Sequence, residues 1–354
     1  MLAAQKPGDA LWPSHWIPAE GENTIAKRSQ SSSSTLLYCS WFCPFAQRAW
    51  IAMEEKDIDY KYVEVNPYEV DPKEEGGYTK KQLPINEKKR LFPDFLAVNP
   101  NGLVPALDNG GEKLYESLQV VEYIDDKFKD RGPRLMPDDP LERARVRIWA
   151  EMATSKVCRP ALAVVSQALI LRTRCDSKVQ REYYKMLMAQ DSEEQETAKK
   201  AFFERCREFA RAMDPIEGSN GAFFLGSRFT LVDIALAPYW QRFLLVGGFY
   251  RGLKLPQDEP EFRRLEAWWK AVQARPGFAR TRVCDERLIA SYSQYSRNLG
   301  TSEYAKNLQS ALSAKSRAAQ GLARKSSAGY AAMAVSFGIG ALAGAGIAAA
   351  LARR

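Results

Sequence analysis

Thr35-Leu-Leu-Tyr-Cys-Ser-Trp-Phe-Cys-Pro-Phe-Ala-Gln-Arg48 is the stretch on which the fold turns. Its first part, Thr35–Ser40, is a short apolar run suited to a buried strand. The rest opens a helix at Cys43-Pro44 that runs through about Lys56, with Phe45, Ala49, Ala52 and Met53 at helical spacing. Proline suits the first helical position because its missing N–H would have no intrahelical partner there. A cysteine immediately before a helix meets unpaired backbone N–H groups and the positive end of the helix dipole. Both favour the thiolate, so the expected pKa falls from ~8.5 into the ~3.5–7.5 range. The fourth residue of Cys43-Pro44-Phe45-Ala46 is alanine where a dithiol redox site carries a second cysteine, so an external thiol has to resolve any adduct. Cys39 is the nearest other thiol; packing fits it best, with a resolving or sensor role as the alternative.

Working outward, Asp59–Asn66 reads as a second strand with Tyr60, Tyr62 and Val65 facing inwards. Val104–Leu107 and Lys113–Tyr115 fit a hairpin around Asn109-Gly110-Gly111, and Ser117–Phe128 is an amphipathic helix. Strand, helix, strand, hairpin and helix make a small α/β domain over 35–131, interrupted by a polar stretch at about 67–98 that reads as an irregular insertion. Proline and glycine punctuate a linker at 132–140, and residues 141–292 carry an almost wholly helical signal. Within them Thr230-Leu-Val-Asp233 has the spacing of a capping box ahead of an apolar run. Residues 1–34 hold few apolar side chains and read as a disordered extension, and 293–329 as a polar, basic linker. Tyr330–Leu351 is 22 residues without a charge, bounded by Arg324-Lys325 and Arg353-Arg354. As a helix it spans about 33 Å against a hydrocarbon core of roughly 30 Å. Ser336, Gly340, Gly344 and Ala348 recur every fourth residue, the spacing that lets membrane helices approach closely. The segment is therefore expected to be a tail-anchor helix; an Ala/Gly-rich soluble tail is the alternative.

The 354 residues carry a net charge of +8, and the excess is local. From Arg297 onward there are eight Lys/Arg and one acid, Glu303, which leaves the body almost neutral. A near-neutral body argues against a nucleic-acid groove, which needs concentrated positive charge. The single histidine, His15, lies in a Pro/Gly-rich N-terminal stretch, which excludes a Ser-His-Asp or Cys-His machine in the core and any His-ligated metal site. No metal is expected. The six cysteines show no CxxC pair, and no signal peptide precedes them, a pattern that fits a reduced, cytosol-facing protein.

Four motifs in order resemble the glutathione transferases, specifically the omega class with its cysteine nucleophile. Ser40-Trp-Phe-Cys-Pro-Phe-Ala-Gln-Arg48 is similar to that class's active-site motif. Asn99-Pro-Asn-Gly-Leu-Val-Pro-Ala106 is similar to the segment holding the family's cis-proline, here Pro105. Glu116-Ser117 is similar to the γ-glutamyl-binding pair, and Thr230-Leu-Val-Asp233 to the capping motif of the helical domain. The resemblance covers residues 35 to about 292 and implies a thioredoxin-like N-terminal domain followed by an all-α domain. It also implies glutathione as cosubstrate: Cys43 as nucleophile, Val104 pairing with the cysteinyl backbone before Pro105, and Phe45 packing nearby. Ser117 and a helix N-terminus would meet the γ-glutamyl carboxylate, with Glu116 facing its ammonium group. The 67–98 insertion obscures the lysine that usually meets the glycyl carboxylate, leaving Lys73, Lys89 and Arg90 as candidates. Tyr239, Trp240 and Arg242 are the residues expected to line a second-substrate pocket between the domains, although aromatic residues on a helix often belong to the core.

The expected function is a glutathione-dependent thiol transferase or reductase, of dehydroascorbate-reducing or deglutathionylating type. The alternative is a non-enzymatic, tail-anchored protein of organelle membranes, like the ganglioside-induced differentiation-associated proteins; those lack a Cys-Pro-Phe-Ala motif. Chloride intracellular channel proteins share the omega-like body and a related cysteine motif, but their proposed membrane segment is not a C-terminal tail. Expected partners are glutathione, a small electrophile or disulfide, a membrane through residues 330–351, and a second copy of the chain in a homodimer. Moderate hydrophobicity between basic flanks favours the mitochondrial outer or the peroxisomal membrane over the secretory pathway, with the body facing the cytosol.

Overall fold

A computed structural model describes residues 17–71, 78–154, 179–213 and 221–300, together with Lys306 and Gln309. The chain divides into two compact units, Met1–Ala305 and Lys306–Arg354, and all described strands lie in the first. The expected anchor at 330–351, Cys158, Cys175, Lys73 and His15 lie outside the described residues. No described helix is long and apolar enough to cross a membrane.

The apolar run at Thr35–Cys39 is β1, and its residues are buried except for half-buried Leu36. It pairs in parallel with β2 (Lys61–Glu64) and antiparallel with β5 (Ala106–Asn109), which continues to β6 (Glu112–Tyr115), giving the sheet order β2-β1-β5-β6. The parallel pair is bridged by α2 (Pro44–Glu55), as a parallel connection requires. α5 (Ser117–Lys127) follows the β5–β6 hairpin. This is a thioredoxin-like domain.

Every residue of α2 except Phe45 is buried, because the helix lies between the sheet and the helical domain. A helix covered on all sides must satisfy its polar side chains internally. Gln47 donates to the Thr281 carbonyl (3.1 Å), and Glu54 accepts from the Tyr60 hydroxyl (2.8 Å) and Arg28 (3.0 Å). Glu55 accepts from the Gly277 N–H (3.0 Å) and pairs with Arg275. The helix ends at Lys56, whose fully buried ammonium meets Asp125 on α5 at 2.7 Å. Asp125 also accepts the N–H groups of Leu135 (2.8 Å) and Met136 (3.0 Å), so the stretch expected to be a plain linker is pinned by two buried residues.

The helical domain comprises α6 (Pro140–Thr154), α7 (Val179–Met188), α8 (Ser192–Ala212), α9 (Leu231–Arg251) and α10 (Pro260–Gln273). Shorter helices α11 (Pro276–Thr281), α12 (Asp285–Ala290) and α13 (Ser293–Ser296) complete it. α9 is the central helix, with Leu231–Phe243 buried throughout.

Three sequence-based boundaries are corrected. Residues 20–29 form a helix, α1 (Glu20–Ser29), inside the segment expected to be disordered. Few apolar residues hold it. Instead Glu22 makes a buried ion pair with Arg287 (3.2 Å) and accepts the Cys284 N–H, while the Gly21 N–H donates to the Arg282 carbonyl (2.8 Å). The stretch 67–98 is ordered wherever it is described: β3 (Tyr68–Val70) pairs with β4 (Tyr78–Gln82), followed by α3 (Ile85–Leu91) and α4 (Pro93–Val98). Phe95 and Val98 of α4 join Tyr38, Val65 and Ala106 in one core cluster, an apolar pair that the surrounding charges disguise in sequence. The polar linker expected from 293 begins with α13, whose Gln294, Tyr295 and Ser296 are buried.

Candidate active site

Cys43 is the N-cap of α2, extended at φ −86° and ψ 117°, with Pro44 as the first helical residue. The turn carrying it is closed by the Cys43 N–H donating to the Ser40 carbonyl (2.9 Å), and the Ser40 hydroxyl donates to the Val65 carbonyl. The thiol is half-buried, whereas Cys39, Cys206 and Cys284 are buried; none of these four is in a disulfide. Burial, followed by the nearby Glu64, drives the Cys39 thiol well above its ordinary range, which fits the packing role and leaves Cys43 as the reactive candidate.

The Val104–Pro105 peptide is cis, as the motif implies. Val104 is half-buried, Pro105 is buried, and the loop before them is shaped by Asn99, which donates to the Leu103 carbonyl (2.6 Å) and accepts the Asn101 N–H (3.1 Å). Lys88 donates to the Gly102 carbonyl (3.2 Å) from a buried position, and burial lowers its pKa. Nothing in the sequence distinguishes Lys88 from its basic neighbours. Of the expected candidates for the glycyl carboxylate, Lys89 is exposed and Arg90 is exposed in a pair with Glu87 (3.0 Å).

Glu116 caps α5 at φ +73°, a conformation that a residue with a Cβ adopts rarely and at a cost. It is half-buried, and Ser117, the first residue of α5, is buried. Ser117 Oγ accepts from Arg48 Nη1 at 3.0 Å, a contact between α2 and α5 that the sequence does not signal. Phe45, expected beside the tripeptide, packs edge-on against Tyr239 (5.6 Å between centroids), and its ring and that of Tyr239 each lie 5.1 Å from the Arg48 guanidinium.

The expected second-substrate lining needs correction. Tyr239, Trp240 and Arg242 are all fully or almost fully buried. Trp240 packs against Trp268 (5.7 Å) and Phe243 (5.8 Å), in the helical core. Arg242 donates to the Phe42 carbonyl (3.0 Å), Gln47 Oε1 (3.0 Å), the Pro238 carbonyl and the Tyr292 hydroxyl (2.9 Å). It braces the Cys43 turn from the helical domain, because a buried guanidinium needs several acceptors and backbone carbonyls supply them. The side chains that sequence reasoning missed here are tyrosines. Tyr68 of β3 packs on Phe42 (5.5 Å), and its hydroxyl feels Tyr295, Cys43 and Tyr292; burial is the main cause that raises its pKa. Tyr292 shares a hydrogen bond with Tyr184 (3.0 Å) and stacks at 5.8 Å on Tyr295.

A thioredoxin-like sheet with a cysteine at a helix N-cap and a cis-proline loop is joined in this chain to an all-helical second domain. Residues 37–132 match the family "Glutathione S-transferase, N-terminal domain", and residues 199–271 match "Glutathione S-transferase, C-terminal domain". Each matched stretch is thus similar to a glutathione S-transferase domain. The probable glutathione S-transferase parC of Nicotiana tabacum is 28% identical over 254 residues, covering 71% of this chain and 90% of the relative. Glutathione S-transferase omega-1 of Sus scrofa is 24% identical over 263 residues, 74% of this chain and 86% of the relative. The crystal structure of glutathione transferase Omega 3C from Trametes versicolor is 29% identical with a TM-score of 0.56, covering 76% of this chain and 97% of that one.

Proposed function

We propose that this chain is a glutathione-dependent thiol transferase of the omega type, working through Cys43. The observation that carries the reading is a half-buried cysteine at the N-cap of α2, beside a cis-proline loop, with alanine at position 46. Omega-type relatives support the same class.

In the first step the Cys43 thiolate attacks the glutathione sulfur of a mixed disulfide; a new Cys43–S–S–glutathione bond forms and the other thiol leaves with its electron pair, then takes a proton from water. A second glutathione thiolate attacks the glutathione sulfur of that adduct. Oxidised glutathione forms and Cys43 departs as the thiolate, so electrons and atoms balance without a second protein thiol. Unpaired N–H groups at the start of α2 stabilise the charge on sulfur in both resting and leaving states. Glutathione itself would lie with its cysteinyl backbone along Val104 and its γ-glutamyl end at Glu116 and Ser117. Replacing Cys43 with alanine in the full chain is expected to cut glutathione-dependent reduction of hydroxyethyl disulfide by at least about 100-fold with an unchanged circular dichroism spectrum. Full retained activity refutes the mechanism.

We also propose that residues 330–351 hold the protein on a mitochondrial outer or peroxisomal membrane, body toward the cytosol. The support is a charge-free run of 22 residues between two basic pairs. A fluorescent protein carrying residues 297–354 is expected to reach an organelle and resist carbonate extraction; a diffuse signal removes the proposal.

A further inference from the structure

Cys43 takes no side-chain capping hydrogen bond from α2, and Pro44 at the first helical position has no N–H to give. The helix dipole favours a thiolate there, but a charged sulfur is held best by a direct donor, which another element has to bring. The inserted β3–β4 hairpin brings one. Tyr68 opens β3; its N–H donates to Asn66 Oδ1 (3.1 Å), and the hairpin is closed by the Leu83 N–H donating to the Pro67 carbonyl (2.9 Å). The Tyr68 ring packs on Phe42 (5.5 Å between centroids), the residue before Cys43. Phe42 is itself fixed by Trp41 (5.3 Å) and by Arg242, which donates to its carbonyl (3.0 Å). A phenol from the insertion is thus seated against the turn that carries the nucleophile.

Charge at Cys43 acts on the Tyr68 hydroxyl, as do the hydroxyls of Tyr295 and Tyr292. Burial is the main reason that this phenol stays neutral and keeps its proton. The Gln82 amide, its partner across the β3–β4 ladder, hydrogen-bonds the hydroxyl and opposes that rise. An amide that favours the phenolate donates its N–H to the oxygen, so the phenol proton is directed at a different acceptor. A thiolate at Cys43 is the charged acceptor nearby, and hydrogen bonds to a charged partner are the stronger kind. Other groups that sense Cys43 have different tasks. Arg48 donates to Ser117 Oγ and the Ala235 carbonyl, and Cys39 is buried as a thiol. Tyr292 accepts from Arg242 Nε (2.9 Å) and shares a hydrogen bond with Tyr184 (3.0 Å).

We propose that the Tyr68 hydroxyl is a catalytic hydrogen-bond donor to the Cys43 sulfur, stabilising it as the thiolate both before attack and as the departing group. No proton is transferred: the phenol keeps its own, and the bonds made and broken remain those of the thiol–disulfide exchanges above. The proposal rests on Cys43 as the nucleophile and adds to it a donor from the insertion.

The test alkylates the full-chain protein with iodoacetamide from about pH 5 to about pH 10 and follows, by mass spectrometry, the peptide carrying Cys43. In Tyr68→Phe the midpoint of the rate–pH profile is expected to rise by about one unit, so that labelling below both midpoints slows about tenfold. At the alkaline end, where both sulfurs are ionised, the two rates are expected to agree within about threefold, because a less acidic thiol gives no weaker a nucleophile. An unmoved midpoint overturns the proposal, including the case in which labelling slows equally at every pH and the ring is merely structural. If Tyr68→Phe does not fold, Gln82→Leu keeps the phenol, removes the amide that orients it, and has to raise the midpoint as well; an unchanged midpoint there overturns the proposal. A wild-type midpoint at or above ~8.5 refutes the thiolate mechanism itself. A low wild-type midpoint that Tyr68→Phe leaves in place refutes the tyrosine alone.

Discussion

Glu64 ends β2 beneath the active-site turn, half-buried as a residue but with Oε1 sealed from solvent. Burial pushes its carboxyl up to about 7 from the ordinary 4.5, against the opposing effects of the Tyr62 hydroxyl (2.9 Å), Arg287 and the Trp41 N–H. A raised carboxyl means that the folded chain keeps a proton which the unfolded chain releases. Between pH 4.5 and about 7 the folded state therefore binds more protons, and stability falls as pH rises through that window, by at most about 3 kcal/mol from this group. With a single histidine in the chain, few other groups titrate there. Glu64→Gln is expected to flatten this decline, raising stability at pH 8 and leaving it almost unchanged at pH 5. Denaturant titrations at the two pH values measure it, and an undiminished slope in the variant would assign the effect elsewhere.

Among the elements, α9 depends on the least local of its capping contacts. Asp233 accepts the Thr230 N–H (2.8 Å) and hydroxyl (3.1 Å), which ties the helix start as the Thr-x-x-Asp spacing implies. Its other oxygen accepts the Phe224 N–H (2.9 Å) and the Trp268 indole N–H (2.8 Å), so one carboxylate joins the preceding loop, α9 and α10. Deleting a cap alone costs about 1 kcal/mol. Here two further buried donors lose their acceptor, at about 1–3 kcal/mol each. Asp233→Ala is accordingly expected to destabilise by about 3 kcal/mol or more, read as a shift in the denaturant midpoint, whereas a loss near 1 kcal/mol would reduce Asp233 to an ordinary cap.

At the scale of the whole folded body, the α/β and helical domains are joined by buried polar side chains of α2 and α9. Arg242 reaches across to the Phe42 carbonyl and Gln47, Arg48 to the Ala235 carbonyl, and Gln47 to the Thr281 carbonyl. Replacing Arg242 with methionine strands several buried acceptors, so a loss of about 3 kcal/mol or more is expected. The Phe42 carbonyl immediately precedes Cys43, so iodoacetamide labelling of Cys43 at pH 7 is expected to change in the same variant. Unaltered labelling together with unaltered stability would show that the brace has no part in the site.

The sequence by itself determined what short-range physics controls. The strand at Thr35–Cys39, the helix opening at Cys43-Pro44 and the Thr230 cap are each set by interactions within a few residues and stand where their spacing places them, while the expected hairpin forms with its first strand two residues later, at Ala106–Asn109 instead of Val104–Leu107. The order of motifs pointed to the same family whose models match residues 37–132 and 199–271. Tertiary structure alone decided the rest. α1 is ordered by Arg287, 265 positions from Glu22, and Ser117 is oriented by Arg48, 69 positions before it. Phe45, Tyr239 and Arg242 have residue types that suit a binding pocket, yet they surround or supply buried guanidinium groups instead. Periodicity records which face of a helix is apolar; it carries no record of which distant acceptor a buried charge will find, and in this protein those distant acceptors shape the site.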